Sequence, residues 1–363
     1  MKISYVPGRE LSYSRTKMFI NGLEKRCELR IYGSGSKSFL KRNIAILLRF
    51  IFRRRRDEDV VIIGFLGQHL VILLKPFVGK RRLVFDSYLS IYNTMIEDKK
   101  IMEGGSFLGI IRKALTGLGL LGGVCFWLDK RSCLLADKVL LDTKEHIKYF
   151  TKNFGINKDK FEKVLIGADD SLFLFREGKE KKKAMIVGFH GLFIPLQGVE
   201  YIVRAAKLLE KEDIEFHLVG NGQTYDRCLG LSKELGLKNI RFLGLKKPGE
   251  IPEFISGVDI GLGIFGESEK TRMVIPNKAY EIIAMGKPLV TSDTNAIREL
   301  FTNKEDALLC NIRDEKSLAD AILILKKDER LRNRIAKGGY RLYKRYCTPE
   351  KIGGELIRIC RNA

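Results

Sequence analysis

The sequence predicts an α/β protein built from two doubly wound, Rossmann-like domains. Short apolar runs alternate with longer segments of helical period along the whole chain, and this alternation implies parallel sheets with helices on both faces. The alternation comes as two series rather than one. Between them lies Arg176–Lys183 (REGKEKKK), a charge run without an apolar residue. A length of 363 residues also suits two domains of about 150–200 residues, each able to bury its own core.

In the first series the strand candidates are Lys2–Val6, Leu29–Tyr32, Val60–Phe65, Leu83–Phe85 and Lys138–Leu141. The second series offers Ala184–Phe189, Glu215–Val219, Ile240–Leu243, Ile260–Ile264 and Pro288–Thr291. Between them, segments such as Val199–Lys211 and Gln223–Leu235 place apolar residues at i, i+3 and i+4, as amphipathic helices do. The chain ends in helical patterns over Glu315–Lys327, Glu329–Tyr346 and, after Pro349, Ile352–Cys360. The expected division is a first domain over 1–175 and a second over 176–347, with 348–363 returning as a helix to the first.

Composition narrows the function. The 66 Lys and Arg against 44 Asp and Glu give a net charge of +22, on an otherwise ordinary globular composition with 45% hydrophobic residues. That excludes collagen, coiled coil, a disulfide scaffold and wholesale disorder. It calls for an anionic partner: nucleic acid, an anionic membrane or a phosphorylated substrate. Seven scattered cysteines without a C-x-x-C read as reduced thiols of a cytoplasmic protein. The N-terminus MKISYVPGRE has no apolar signal core. The longest apolar stretch, Ala114–Leu128, holds four glycines and falls short of the roughly 20 residues that a spanning helix needs.

Several phosphate-loop patterns fail on context. Gly33-Ser-Gly-Ser-Lys37-Ser38 lacks the Gly directly before the Lys that a P-loop requires, and reads as a basic turn. Gly261-Leu-Gly263-Ile-Phe-Gly266 spells G-x-G-x-x-G, but within a strand rather than at a strand-to-helix turn, so a nicotinamide cofactor is not expected. Asp169-Asp170 is not a D-x-D metal motif, and no His, Asp or Glu group has metal-ligand spacing; neither a metal nor a cofactor is expected.

The informative segment is Ile260–Glu299. Pro276 and Asn277 open a helix near Lys278, and Gly286-Lys287-Pro288 ends it. Lys278 and Glu281 share one face near its N-terminus. A Lys at a helix N-terminus suits an anionic phosphate group, and a carboxylate one turn on suits sugar hydroxyls. On residue types alone, an ordinary i, i+3 pair on a capped surface helix is the better account of them.

PNKAYEIIAMGKPLVTSD resembles the donor-site helix of GT-B glycosyltransferases of the group 1 type (family 4), retaining enzymes that include sucrose-phosphate synthases and many polysaccharide and lipopolysaccharide transferases. Met185–Glu200, Phe216–Gly222, Ile240–Gly244 and Ile251–Asp259 resemble the same domain's first strand and Gly-rich turn, second strand, nucleotide-base strand and following helix. Upstream, Ala136–Val139 and Ile166–Phe173 resemble the last N-domain strand and the interdomain turn. Each piece is weak alone; their order and spacing are specific.

The resemblance implies the GT-B fold, two Rossmann-like domains facing a central cleft, and transfer of a sugar from a nucleotide-diphosphate donor with retention. No bound metal is implied; the nucleotide sugar is a substrate. Glu281 falls at the second of the family's paired glutamates, which binds the ribose hydroxyls. Met273 stands where the first would hold the donor sugar, and Leu192 and Gln197 stand where an Arg and a Lys would neutralise the diphosphate. Lys278, Arg272 and Lys270 are therefore the expected replacement cations, so the catalytic set is Lys278, Glu281 and Arg272. Gly188, His190 and Gly191 are expected to let backbone approach the phosphates. Gly220, Gly222, Gly244, Lys270 and Asn277 complete the donor site.

The first domain is expected to hold the acceptor, with Arg15, His69 and Asp86 as contacts near carboxyl ends of strands. Its stretch from Lys37 to Arg56 interleaves basic with apolar residues and contains no acid, as a helix lying on an anionic bilayer would. Phe107–Leu128 adds an apolar, Gly-rich patch ending near Trp127. With the resemblance, these features imply a peripheral enzyme at the cytoplasmic membrane face, acting on a polyprenyl-linked acceptor or a growing glycan; the other reading of both segments is cleft-lining and core helices of the first domain. A basic nucleic-acid-binding protein would show aromatics interleaved with Lys and Arg in a stripe, which this sequence lacks. A non-catalytic GT-B protein, prompted by Met273, Leu192 and Gln197, stays open.

Overall fold

A computed structural model of the chain describes residues 1–36, 38–53, 57–94, 118–175 and 184–363. It divides into two compact units, Met1–Ile166 with Pro349–Ala363, and Gly167–Thr348. Each is built on a six-stranded, all-parallel sheet. Parallel strands of this kind are covered on both faces, which explains why they read as continuous apolar runs rather than as alternation.

In the first unit the strands are β1 (Lys2–Val6), β2 (Glu28–Ile31), β3 (Val60–Ile63), β4 (Arg82–Tyr88), β5 (Lys138–Leu141) and β6 (Phe161–Lys163), in spatial order β2-β1-β3-β4-β5-β6. The helices are α1 (Ser14–Glu24), α2 (Phe39–Arg53), α3 (Gln68–Val78), α4 (Leu118–Leu135) and α5 (Lys144–Phe154). The step from β1 to β2 runs one way across the sheet and every later step runs the other. Right-handed crossovers therefore put α1 on one face and α2, α3, α4 and α5 together on the opposite one.

In the second unit the strands are β7 (Met185–His190), β8 (Ile214–Val219), β9 (Ile240–Phe242), β10 (Ile260–Leu262), β11 (Leu289–Ser292) and β12 (Leu308–Cys310). Their order is β12-β11-β10-β7-β8-β9. The helices are α6 (Val199–Leu208), α7 (Tyr225–Glu234), α8 (Ile251–Gly257), α9 (Asn277–Ala284), α10 (Asn295–Arg298), α11 (Glu315–Lys327) and α12 (Glu329–Tyr346). Strand order reverses between β7 and β10, and such a switch point opens a ligand crevice at the carboxyl ends of the two strands. The core beneath it joins Val187, Phe189 and Phe216 of the strands to Ile202 and Val203 of α6 and Ile322 of α11.

Two features differ from the sequence expectation. The units part at Ile166, not at residue 175. Ala168 donates to the Cys347 carbonyl at 3.2 Å and accepts from the Tyr343 hydroxyl at 3.0 Å, and Phe175 packs on Tyr340, so this stretch is fastened to α12. The charge run 176–183 lies outside the described residues. The second difference is an additional strand at one edge of each sheet, β6 and β12, each three residues long.

The last helix, α13 (Pro349–Asn362), packs on α1 of the first unit. The two cross at glycines: a Cβ on Gly22 would lie 2.3 Å from the Pro349 carbonyl oxygen, and one on Gly353 2.1 Å from that of Gly22. Arg82 donates to the carbonyls of Cys360 and Arg361, satisfying the open C-terminus of α13. Among the described residues no helix is long and apolar enough to cross a membrane.

Candidate active site at the carboxyl ends of β7 and β10

β7 ends at His190, which is buried, and Gly191 follows at φ 144°. The neighbouring turn after β8 carries Gly220 and Gly222, also at positive φ. The turns touch backbone to backbone. A Cβ on Gly220 would stand 1.8 Å from the Gly191 carbonyl oxygen, and one on Gly222 2.7 Å from that of Phe193. Gly220 also donates to the carbonyl of Gly244, itself left-handed at φ 66°, which ties in the turn after β9. Only glycine lets the turns after β7 and β8 approach this closely.

After β10 the chain runs through a short 3₁₀ turn, Glu269–Arg272, to Pro276 and α9. Pro276 fixes the approach, and no side chain caps the first turn. The open amides of a helix N-terminus face a crevice where an anion is favoured. Lys278 is buried there. Its Nζ donates to Gln197 Oε1 at 2.6 Å and lies 3.5 Å above the centre of the Phe189 ring. A Cβ on Gly191 would come within 2.9 Å of that Nζ, so the ammonium sits directly under the Gly191 turn. Burial pushes the Lys278 ammonium well below its ordinary pKa, and nearby Glu281 only partly opposes this. One turn on, Glu281 Oε2 lies 2.7 Å from His190 Nε2. Two loops and one helix therefore bring a cation, a carboxylate, an imidazole and an N-terminus without a side-chain cap into one place.

The remaining donor-site expectations are placed as follows. Asn277 is the first residue of α9 and half-buried. Lys270 is buried and Arg272 exposed on the 3₁₀ turn, with Met273 buried behind them. Gly188 is a correction. It lies inside β7, paired in register with His217 and Gly261, and its missing Cβ makes room for Val258 at 2.3 Å and Phe254 at 3.2 Å. It serves strand packing rather than backbone approach to a phosphate. Gly261, Gly263 and Gly266 likewise make room for Ile282, Thr291 and the Pro195 carbonyl, which accounts for the dinucleotide-like spelling.

In the first unit the structure contradicts two of the three acceptor expectations. Arg15 and Asp86 are fully buried and bind each other, with Arg15 Nε and Nη2 donating to the Asp86 carboxylate at 2.7–2.9 Å. Burial drives the Asp86 pKa upward against the opposing pull of Arg15. The pair fastens α1 to β4 and offers nothing to a substrate. His69 is half-buried at the start of α3, with its Nε2 2.9 Å from Asn43 Oδ1 and its ring against Phe39 of α2. Burial and nearby Arg42 lower its pKa.

Sequence reasoning missed Phe189 and the role of Gln197. Nothing in the sequence marks a strand phenylalanine as the bed of a lysine. Gln197 was conspicuous only as a missing cation, and its amide is what holds the cation that arrives from α9.

Comparison with known proteins bears on the family and the fold. Residues 170–342 match the family model of the glycosyl transferases, group 1. The chain carries a group 1 glycosyl transferase domain. This domain spans the whole crevice described above. Over 157 residues the chain is 31% identical to the lipopolysaccharide core biosynthesis glycosyltransferase LpsD of Rhizobium meliloti, covering 43% of each protein. Over 199 residues it is 28% identical to the N,N'-diacetylbacillosaminyl-diphospho-undecaprenol alpha-1,3-N-acetylgalactosaminyltransferase of Campylobacter jejuni, 54% of this chain and 50% of the relative. The chain spans about half the length of the curated relatives it matches. The Anabaena protein HepE, crystallised in complex with UDP, has the same fold over the full length of both chains, with a TM-score of 0.72 at 14% identity. The fold is GT-B.

Proposed function

We propose that this chain is a retaining, metal-independent glycosyltransferase that moves a sugar from a nucleotide-diphosphate donor to a lipid-linked or growing glycan acceptor at the cytoplasmic membrane face. The observation that carries the reading is Lys278. It is a buried ammonium with one amide acceptor and one aromatic face, under a glycine turn and in the first turn of a helix that no side chain caps. A cation buried with so little compensation is costly alone and is relieved when an anion arrives.

Breaking the anomeric C–O bond leaves negative charge on the departing diphosphate, and donors already in place where that charge develops lower the barrier most. Lys278 and the N-terminus of α9 do this for one phosphate, with Arg272, exposed, and Lys270, buried, as further cations on the preceding 3₁₀ turn. The acceptor oxygen forms the new bond to the anomeric carbon and passes its proton to the departing diphosphate, so no separate base is required. Glu281, oriented by His190, accepts from the ribose hydroxyls. The positive charge that the resemblance places at position 197 reaches the same point from α9, because Gln197 holds the Lys278 ammonium. This favours an active enzyme over a non-catalytic GT-B protein. The UDP bound by HepE and the diphospho-undecaprenol acceptor named for the Campylobacter relative support the donor and acceptor classes.

A thermal-shift panel of nucleoside diphosphates and nucleotide sugars tests the reading. At least one must raise the melting temperature of the wild type and fail to do so for Lys278→Met. Stabilisation by none contradicts it.

A further inference from the structure

The outer side of the α2–α3–α4 layer is unusually apolar for a surface. The inward face of α2 is accounted for by Ile46 and Phe50 in the core and by Arg42 paired with Glu10. A second stripe runs along its outward side. Leu40, Ile44, Leu48 and Phe52 are spaced by four residues and form a single ridge along the helix. All four are exposed, Leu40 at 68% and Phe52 at 79%. Lys41, Arg49 and Arg53 each follow a ridge residue and are exposed beside it, and the helix contains no acid. The layer continues the pattern: α3 packs between α2 and α4 and exposes Leu73, and α4 exposes Leu120 at 78% and Trp127 at 54%. The handedness of the crossovers puts these helices on one side of the sheet.

We infer that this layer is a docking face for an anionic lipid bilayer, with the α2 ridge seated at the boundary of headgroups and acyl chains. Apolar residues with flanking Lys and Arg are the composition of a helix lying in a membrane interface, and a tryptophan suits the same depth. Charge selects the occupant. Every ionised group on the ridge side of α2 is positive, so anionic headgroups complement it. A second copy in a two-fold contact would set these cations against one another. At 15 residues the helix is about 22 Å long, too short to span the bilayer but suited to lying along it. The inference deepens the membrane-face part of the proposed function and rests on it. Its test uses no nucleotide, so failure of one is separable from failure of the other.

The test is flotation of the full chain with vesicles of phosphatidylcholine alone or containing phosphatidylglycerol, at low and high salt. Wild type floats with the anionic vesicles, and less so at high salt as screening weakens the attraction. Leu48→Ser with Phe52→Ser, at unchanged charge and with an unchanged melting curve, lowers the bound fraction by about tenfold or more. Lys41→Gln with Arg53→Gln lowers the anionic preference and the salt response. Arg330→Gln with Arg341→Gln, which removes the same charge from exposed sites on α12, binds like wild type. The inference is overturned if wild type does not float with anionic vesicles, if the ridge variant floats as well as wild type, if the α12 variant loses binding equally, or if the ridge variant instead converts a dimer to a monomer.

Discussion

The Lys278 ammonium donates to Gln197 across 2.6 Å, linking the first turn of α9 to the turn before α6. Gln197 is neutral, so the bond orients the charge without cancelling it. With Phe189 beneath, it holds a cation in place with stability given up for function.

Lys278→Met is expected to keep or raise the melting temperature while lowering kcat/KM by about 10²–10³-fold, the usual cost of losing one pre-placed charge donor. Because burial lowers the folded-state pKa of Lys278 below its unfolded value near 10.4, the unfolded chain binds the extra proton between the two. Wild type therefore gains stability relative to Lys278→Met as pH rises through that window, and loses it as pH falls. Denaturant melts of both proteins between neutral and alkaline pH check this.

Glu281→Gln and His190→Gln separate contact from orientation. Glu281→Gln removes the acceptor for the ribose and is expected to raise the donor KM by at least about tenfold. His190→Gln keeps a donor near Glu281 and should raise it only a few-fold, with kcat changed less than KM. Steady-state kinetics with the donor identified by the nucleotide panel provide the readout.

The glycine turns make a graded stability prediction. Gly220→Ala puts a Cβ against the Gly191 carbonyl at φ 140° and should cost about 2–4 kcal/mol, together with nucleotide binding. Gly244→Ala meets open space at φ 66° and should cost only about 1–2 kcal/mol. Urea denaturation of the two variants compares them.

Asp86→Asn leaves the Arg15 guanidinium buried without its counter-charge and should destabilise by about 3–5 kcal/mol. Replacing both, Arg15→Met with Asp86→Leu, should recover most of that loss. An acceptor-binding role would instead leave stability intact and raise the acceptor KM.

Much of this was legible in the sequence where local chemistry decides it. The buried strands appear as apolar runs, and Pro276, Asn277 and Gly286 mark both ends of α9. Lys278 and Glu281 were visible because helical spacing fixes their common face. β6 and β12 were not: Phe161-Glu162-Lys163 holds a single apolar residue, and β12 is only the three residues Leu308–Cys310. Nor was the partner of Arg15: Asp86 lies 71 residues away, and only the packing of α1 on the sheet that holds β4 brings them together. Polar residues near strand ends read as ligand contacts or as buried ion pairs with equal ease, and Gly188 shows the same ambiguity for glycines.

The central claim is that a diphosphate completes the buried charge of Lys278. Calorimetric titration of the stabilising nucleoside diphosphate, repeated in two buffers of different ionisation enthalpy, measures it directly. The account predicts net proton uptake on binding by wild type, increasing towards alkaline pH, and none beyond the nucleotide's own with Lys278→Met, which should also bind about tenfold or more weakly. Equal affinity and equal proton uptake in the two proteins would contradict it.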